Sequence, residues 1–384
     1  SFRWCVLTAP PWHIAMPFGG RRPPHHLSIR RLGRVTLLGG RNGVCKTTVL
    51  DAVRTYAARG SRSTLHDLLD KREEYVAAVD EGHDAVTSPD FGALFHGRTI
   101  TSDRPVIIGP TSGDDDLRIE VSTLANRSPD QRGLFADLPG ESDVQAIRVV
   151  YRGRERLLPW LPVVNAPRAN WLRLRYPGNL LVGQVEEEKW PVVDCESLGP
   201  GLPSNRMLAR FWDSVTLTEE EGLSLQALRL TDHGIERVAV VGEEQGPGYR
   251  ATGRRVVVKL RDDARPVPLK SLGDGVTRLF ATALALVNSR DAFLVVDEAE
   301  NGIHYSVQRD FWRMILRAAQ QYNVQVLATT HSSDCVTGFA RAAIECHDAL
   351  GVYVRLERDG NRVRAVEYSE EELGTVADQG IEVR

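Results

Sequence analysis

Residues 292–305 read AFLVVDEAENGIHY, five apolar residues that stop at two adjacent carboxylates, Asp297 and Glu298. A continuous apolar run of that length is the pattern of a strand covered on both faces, as in a parallel α/β sheet. Its carboxylates then project from the strand's C-terminal end, the edge at which open α/β sheets take their ligands. A nucleotide carrying its magnesium is the ligand that such a pair suits.

A nucleotide needs a phosphate-binding loop, and residues 35–53, VTLLGGRNGVCKTTVLDAV, supply one with a single departure. An apolar strand leads into a glycine-rich turn and then to Val49, Val53, Tyr56 and Ala57 at helical spacing. The P-loop pattern GxxxxGK[ST] is met by Gly40, Arg41, Asn42, Gly43, Val44, Cys45, Lys46 and Thr47, except that Cys45 stands where the second glycine belongs. In such a loop successive N–H groups and a helix N-terminus cradle the phosphates. Lys46 would hold the outer phosphates and Thr47 would offer its hydroxyl to Mg²⁺. Glycine precedes the lysine because the backbone bends tightly and approaches the phosphates without a Cβ. Two readings of Cys45 stay open: a substituted glycine, or a thiol of lowered pKa at a helix N-terminus whose oxidation gates ATP binding.

Two further segments complete the pattern. Residues 324–334, VQVLATTHSSD, form a second short apolar strand that ends near His331, placing this imidazole at the same sheet edge as Glu298. A neutral imidazole there bonds a γ-phosphate or the lytic water. Residues 270–275, KSLGDG, precede Val276, Leu279, Phe280, Ala283 and Val287, which are spaced for a helix buried on one face. The glycines at that helix start suit a phosphate; the plainer reading is an ordinary cap by Ser or Asp.

Taken together, GRNGVCKTTVLDA, SLGDG, LVVDEAENGIHY and ATTHS resemble the ABC-type ATPase heads of the RecF, SMC and overcoming-lysogenization-defect (OLD) group. Within it the chain is similar to the stand-alone, OLD-like AAA ATPases of bacterial anti-phage systems, the ATPase component of PARIS among them. The resemblance covers roughly the first sixth and the last third of the chain. It implies an α/β P-loop NTPase of ABC-head type in two lobes, dimerising around ATP. The residues from Gly40 to Thr48 take the Walker A role and Asp297 the Walker B role beside Mg²⁺, with Glu298 as the general base. Ser271, Gly273 and Gly275 take the place of the signature loop that reaches a partner's γ-phosphate, and His331 that of the switch histidine. Residues 300–304 occupy the D-loop position, where His304 either contacts the interface or packs there. By the same likeness, Phe2 and Arg3 stand for a Phe-Arg pair beside the nucleotide.

Composition excludes several classes. The 384 residues are 42% hydrophobic and 26% charged, enough for one large domain or two. A net charge of -3 gives no global case for nucleic acid. Only five lysines stand among the 48 basic residues, which makes Lys46 inside the P-loop a rarer coincidence. Five cysteines without CxxC spacing point to a reducing compartment with neither a disulfide framework nor a zinc site. With no apolar run of membrane-span length and no charged-then-apolar leader, the cytoplasm is the expected location. The start at Ser1 leads us to expect processing or trimming.

The expected division is residues 1–118 with Walker A, 119–262 as an insertion with connecting strands, and 263–384 with the signature loop, Walker B and the switch histidine. Residues 63–79 have helical spacing, DLRIEVSTL and AIRVVYRGRERLL alternate as strands, and Arg152-Gly153 suits a hairpin turn. Proline and tryptophan make 159–177 loop-rich, and Trp160, Trp171, Arg173 and Arg175 read either as a stacking surface for single-stranded nucleic acid or as core beside a basic strand. The acidic runs at 114–116, 186–188 and 219–221 read as solvated faces. Without a heptad repeat, a compact insertion is expected in place of a long coiled coil. A second hairpin is expected over 352–366, turning at Asp359-Gly360-Asn361. The residues beyond His331 are expected to be too few for a Toprim nuclease, so any such effector belongs on a separate polypeptide. The functional expectation is a Mg-dependent ATPase, dimeric or higher, that controls an effector in anti-phage defence. The alternatives are an ATP-binding scaffold with hydrolysis weakened by Cys45 and a RecF-like repair ATPase on DNA.

Overall fold

A computed structural model describes residues 12–15, 27–78, 86–95, 98, 105–110, 115–123, 145–159, 190–242, 253–360, 362–369 and 372–375. The first elements are β1 (Trp12–Ala15), β2 (Leu27–Ile29), β3 (Val35–Gly39), α1 (Lys46–Ala57), α2 (Arg62–Lys71), β4 (Tyr75–Ala78) and β5 (Val86–Pro89). There follow β6 (Val106–Pro110), β7 (Leu117–Thr123), β8 (Gln145–Tyr151), β9 (Arg154–Pro159), β10 (Cys195–Leu198), α3 (Asn205–Val215) and α4 (Glu221–Arg229). The rest are β11 (Ile235–Gly242), β12 (Arg254–Leu260), β13 (Val267–Pro268), α5 (Asp274–Asn288), β14 (Phe293–Val296), α6 (Gln308–Gln321), β15 (Gln325–Thr329), α7 (Ser333–Glu345), β16 (Gly351–Asp359) and β17 (Arg362–Tyr368).

The central sheet runs β10-β14-β15-β3-β16-β17. Its first five strands are parallel, and β17 closes the edge antiparallel. The apolar runs of β14 and β15 are explained by burial on both faces. Leu294, Val296, Val326 and Ala328 enter one core, while Phe293, Val295 and Leu327 enter the other. Period-two alternation sends neighbouring residues to opposite sides, so a strand covered on both must be apolar throughout.

On one side, α1 lies between this sheet and a second, antiparallel sheet ordered β2-β1-β6-β7-β8-β9. Val49, Val53 and Tyr56 of α1 share that core with Ile108, Ile119 and Val149. Arg59 stacks on Tyr56 and Tyr151 at 4.6 and 4.2 Å from the ring centroids, which ties the end of α1 to β8. On the other side lie α5, α6 and α7, with α3 and α4 stacked over α5. α5 was expected to be buried on one face and is buried on all sides from Val276 to Val287. The reason is the second helical layer: Phe211 and Trp212 of α3 cover the side away from the sheet, with Trp212 5.7 Å from Phe280. The result is an α/β fold with a mostly parallel central sheet, a second, antiparallel sheet across α1 and a double layer of helices on the other side. Among the described residues the longest helix has 15 residues, so none forms a long coiled coil. None is long and apolar enough to cross a membrane.

Several expectations shift. The helix over 63–79 is only α2, capped by Ser61; the chain turns at Glu73 (φ 55°), and Tyr75 begins β4. Aromatic and β-branched residues at 75 and 76 prefer the extended backbone and end the helical pattern. The β8–β9 hairpin forms as expected, with Arg152 and Gly153 at φ 51° and 71°, the left-handed pair of a type I′ turn. β10, within residues 119–262, joins the parallel sheet beside β14. The second hairpin is β16 and β17, and its first strand pairs with β3. Trp160, Trp171, Arg173, Arg175, the acidic run at 186–188, Phe2 and Arg3 lie outside the described residues.

Candidate functional site

Because β3, β10, β14 and β15 are parallel, their C-terminal ends meet at one edge. That edge carries the P-loop, the turn after Leu198, Asp297 with Glu298, and His331. Gly40 has φ 132°, and a Cβ there would stand 2.4 Å from the Leu356 carbonyl oxygen, so only glycine fits. Arg358 donates to the Gly43 carbonyl at 2.8 Å and braces the loop from β16.

Cys45 is the N-cap of α1 and takes the left-handed conformation, φ 67° and ψ 27°. The backbone thus makes the turn that the missing glycine would make, and a residue with a Cβ pays roughly 1–2 kcal/mol for it. A lowered thiol pKa is not what the site provides: burial pushes Cys45 up, outweighing the opposing pulls of Arg358, Thr48 and Arg72.

Lys46 is 5% exposed. Its ammonium donates to the carbonyls of Gly40 at 2.6 Å and Arg41 at 3.2 Å and lies 3.1 Å from His331 Nδ1. Burial lowers its pKa to about 8, against the opposing charges of Asp297, Glu300 and Glu298. Thr47 donates its hydroxyl to Asp297 Oδ2 at 3.2 Å, across 250 residues of sequence. Asp297 Oδ1 accepts from the Thr329 hydroxyl, whose oxygen accepts the Glu298 N–H at 2.8 Å. Two hard oxygens, from Thr47 and Asp297, thus converge, which fits Mg²⁺. That ion is commonly held by one or two protein oxygens plus substrate phosphates. Among the described residues no group of three or more His, Cys, Asp or Glu forms a metal cage.

Glu298 has φ 48°, a left-handed position uncommon for a residue with a side chain and characteristic of functional sites. Asn301 donates to its Oε2 at 2.7 Å, and its Oε1 lies 3.8 Å from His331 Nε2. His331 therefore stands between Lys46 and Glu298. Ser271, Gly273 and Gly275 are apart from this cluster. Ser271 sits in a 3-10 turn (Leu269–Leu272), and Gly273, φ 105°, is the N-cap of α5 with open space at its Cβ position. Gly275 touches the turn after Glu298, since a Cβ there would meet the Gly302 carbonyl oxygen at 2.2 Å. Ser271 and Gly273 are exposed, and His304 lies in the same turn beside Tyr305, ring centroids 4.3 Å apart.

The structure adds residues that sequence reasoning missed. Arg278, 1% exposed, donates to the carbonyls of Asp297, Glu298, Gly199 and Gly201. It bolts α5 to the carboxylate turn and to the loop after β10. The available signal was an arginine inside the apolar stripe of α5. Thr329 and Asn301 are likewise placed on the two carboxylates, and their motif context offered no role for them. Beside Thr47 and Asp297 opens a cavity of about 600 Å³, walled by α1, α2, residues 197–204 and Arg278.

Residues 218–334 match a family described as "AAA domain, putative AbiEii toxin, Type IV TA system". The match includes the signature loop, β14 and β15 and excludes the P-loop. An ATP/GTP phosphatase of Helicobacter pylori is 28% identical over 88 residues, which is 22% of this chain and 24% of that protein. The chain thus spans about a quarter of that relative's length. Among solved structures, an SMC head bound to the C-winged helix domain of ScpA aligns over 96% of this chain and 99% of its own, with 12% identity and a TM-score of 0.48. The SMC head domain from Thermotoga maritima aligns over 94% and 100%, with 13% identity and a TM-score of 0.39. The strand order and the loop geometry give the fold, and the family match agrees with a P-loop ATPase domain of AAA type.

Proposed function

We propose that this chain binds Mg·ATP between the P-loop and the end of β14 and hydrolyses it to ADP and phosphate. The observation that carries the reading is the bond from Thr47 to Asp297, which joins the two motifs into one pocket with Glu298, Lys46 and His331 around it. Phosphoryl transfer is catalysed by positioning and by neutralising charge on the equatorial oxygens, so this set of groups suffices without a protein nucleophile. Lys46 neutralises the outer phosphates once it exchanges its carbonyl partners for phosphate oxygens. Glu298, fixed by Asn301, orients the attacking water and accepts its proton. His331 donates to the γ-phosphate or the water. Thr47 and Asp297 would hold Mg²⁺, which supplies charge neutralisation when bound.

The exposed Ser271 and Gly273, with the half-buried Gly275 behind them, stand away from their own P-loop, which supports a composite site completed by a second copy of the chain. The phrase "putative AbiEii toxin" in the matched family and the anti-phage resemblance support a role as sensor and regulator in defence, acting on a separate effector such as a Toprim nuclease. The left-handed Cys45 favours a second reading, a scaffold in which bound ATP holds the assembly while hydrolysis is slow. ATP turnover and particle mass, each with and without Mg²⁺, separate the readings in the native chain, Cys45→Gly and Glu298→Gln. Turnover by the native chain that is lost in Glu298→Gln supports the ATPase. Turnover seen only in Cys45→Gly supports the scaffold, and none in any chain with no ATP binding ends both.

A further inference from the structure

The sequence DEAEN holds a third acidic residue that the reaction as described does not use. Glu300 lies in the turn that follows β14, set there by the Ile303 N–H bond to the Glu300 carbonyl at 2.9 Å and the Asn301 N–H bond to the Glu298 carbonyl at 3.1 Å. Its Oε1 accepts the backbone N–H of His331 at 2.7 Å, while its Oε2 is buried with no hydrogen-bond partner among the described residues. A buried carboxylate oxygen without a hydrogen bond is costly and calls for an explanation, which we seek in the task of the other oxygen.

The task is visible in the loop that carries His331. The Thr330 N–H goes to the Leu38 carbonyl at 3.0 Å and the Ser332 N–H to the Thr330 hydroxyl at 3.0 Å. Ser332 then caps α7 through Cys335 N–H at 3.3 Å. The amide of His331 lies between these fixed points, and among the described residues Glu300 alone holds it. The ring it carries spans 3.1 Å to Lys46 and 3.8 Å to Glu298, contacts that a small rotation of the loop would break.

We propose that Glu300 is the positioning residue of His331: it acts through the backbone amide and fixes the loop so that the imidazole stays between Lys46 and Glu298. The proposal rests on the ATPase reading for its kinetic consequence, while its structural part stands on its own. Displacing a group by about an ångström costs up to roughly a hundredfold in rate. Glu300→Gln keeps an acceptor for the His331 N–H. Glu300→Ala removes it, and Glu300→Asp keeps the charge but falls short of the amide.

The experiment measures amide hydrogen exchange at residues 330–332, kcat, and the dissociation constant for ATP in all three variants. Expected are native exchange and kcat within about threefold of native in Glu300→Gln. Glu300→Ala and Glu300→Asp should show faster exchange at His331 and a kcat lowered by about tenfold to a hundredfold, with ATP affinity unchanged. Native exchange at His331 in both Ala and Asp variants overturns the anchor. Faster exchange with an unchanged kcat in an active enzyme overturns the positioning role. Native turnover itself is read in the same assay, so its absence counts against the ATPase reading while exchange still decides the anchor.

Discussion

The two banks of the site are built differently. On the carboxylate bank every functional group has a partner that fixes it: Thr329 and Thr47 hold Asp297, Asn301 holds Glu298, and Glu300 holds the His331 backbone. Arg278 anchors the carbonyls beneath. The phosphate bank is held from outside by Arg358, carries a left-handed residue with a Cβ at Cys45, and has its lysine bonded back to its own loop. Preorganised dipoles and a base lower the barrier for chemistry, whereas a Cβ at the turn before Lys46 and carbonyls to be exchanged for phosphate lower affinity. On the proposed reading, binding and chemistry would be separable here and would fail separately.

The largest expected effect lies on the carboxylate bank. Glu298→Gln keeps the side chain's shape and should lower kcat by about 10²–10⁴-fold with ATP affinity near native, as loss of a general base does. An unchanged kcat would remove Glu298 from the reaction. On the phosphate bank, Lys46→Ala should weaken ATP binding by about tenfold to a hundredfold, the worth of a charge-assisted bond of roughly 1.5–3 kcal/mol. Equilibrium titration with a fluorescent ATP analogue reads it.

A smaller effect follows from the lysine's pKa, lowered by burial to about 8 before phosphate arrives. Phosphate oxygens stabilise the ammonium and raise that pKa, so binding takes up a proton above it. Affinity is then full below about pH 8 and falls as pH rises through it, by at most about tenfold per unit. A dissociation constant that stays flat from pH 7 to about pH 9.5 contradicts a phosphate role for Lys46. The smallest effect is on stability. Cys45→Gly relieves roughly 1–2 kcal/mol of left-handed strain and gives back about 0.4–1 kcal/mol through the freer unfolded chain. Thermal melting should rise by a few degrees at most.

Much of this site could be read from residues alone. The apolar runs of β14 and β15 needed only period and length, because burial on both faces leaves no room for polar residues. The P-loop and the terminal carboxylates follow from where parallel strands end. The hidden part depends on tertiary neighbours. An arginine inside an apolar stripe hints at a buried role for Arg278, but neither its carbonyl partners nor the full burial of α5 is local, because α3, α4 and the loop after β10 reach it from dozens of positions away in sequence. The rise in the Cys45 pKa also escaped sequence reasoning, since a helix terminus is legible and the depth of burial around it is not. At residues 75–78 the mixed charge pattern outvoted two β-formers, and the fold decided for β4.

The separation of binding from chemistry is tested most directly by Cys45→Gly. Its ATP dissociation constant and its single-turnover rate at saturating Mg·ATP are to be measured beside those of the native chain. The left-handed turn is already made in the free chain, so relieving it stabilises free and ATP-bound forms alike. What Cys45→Gly removes for binding is the Cβ beside the phosphates, which predicts tighter ATP binding and an unchanged single-turnover rate. Equal affinities with a raised single-turnover rate would contradict the account, because the residue before Lys46 would then act on the chemical step.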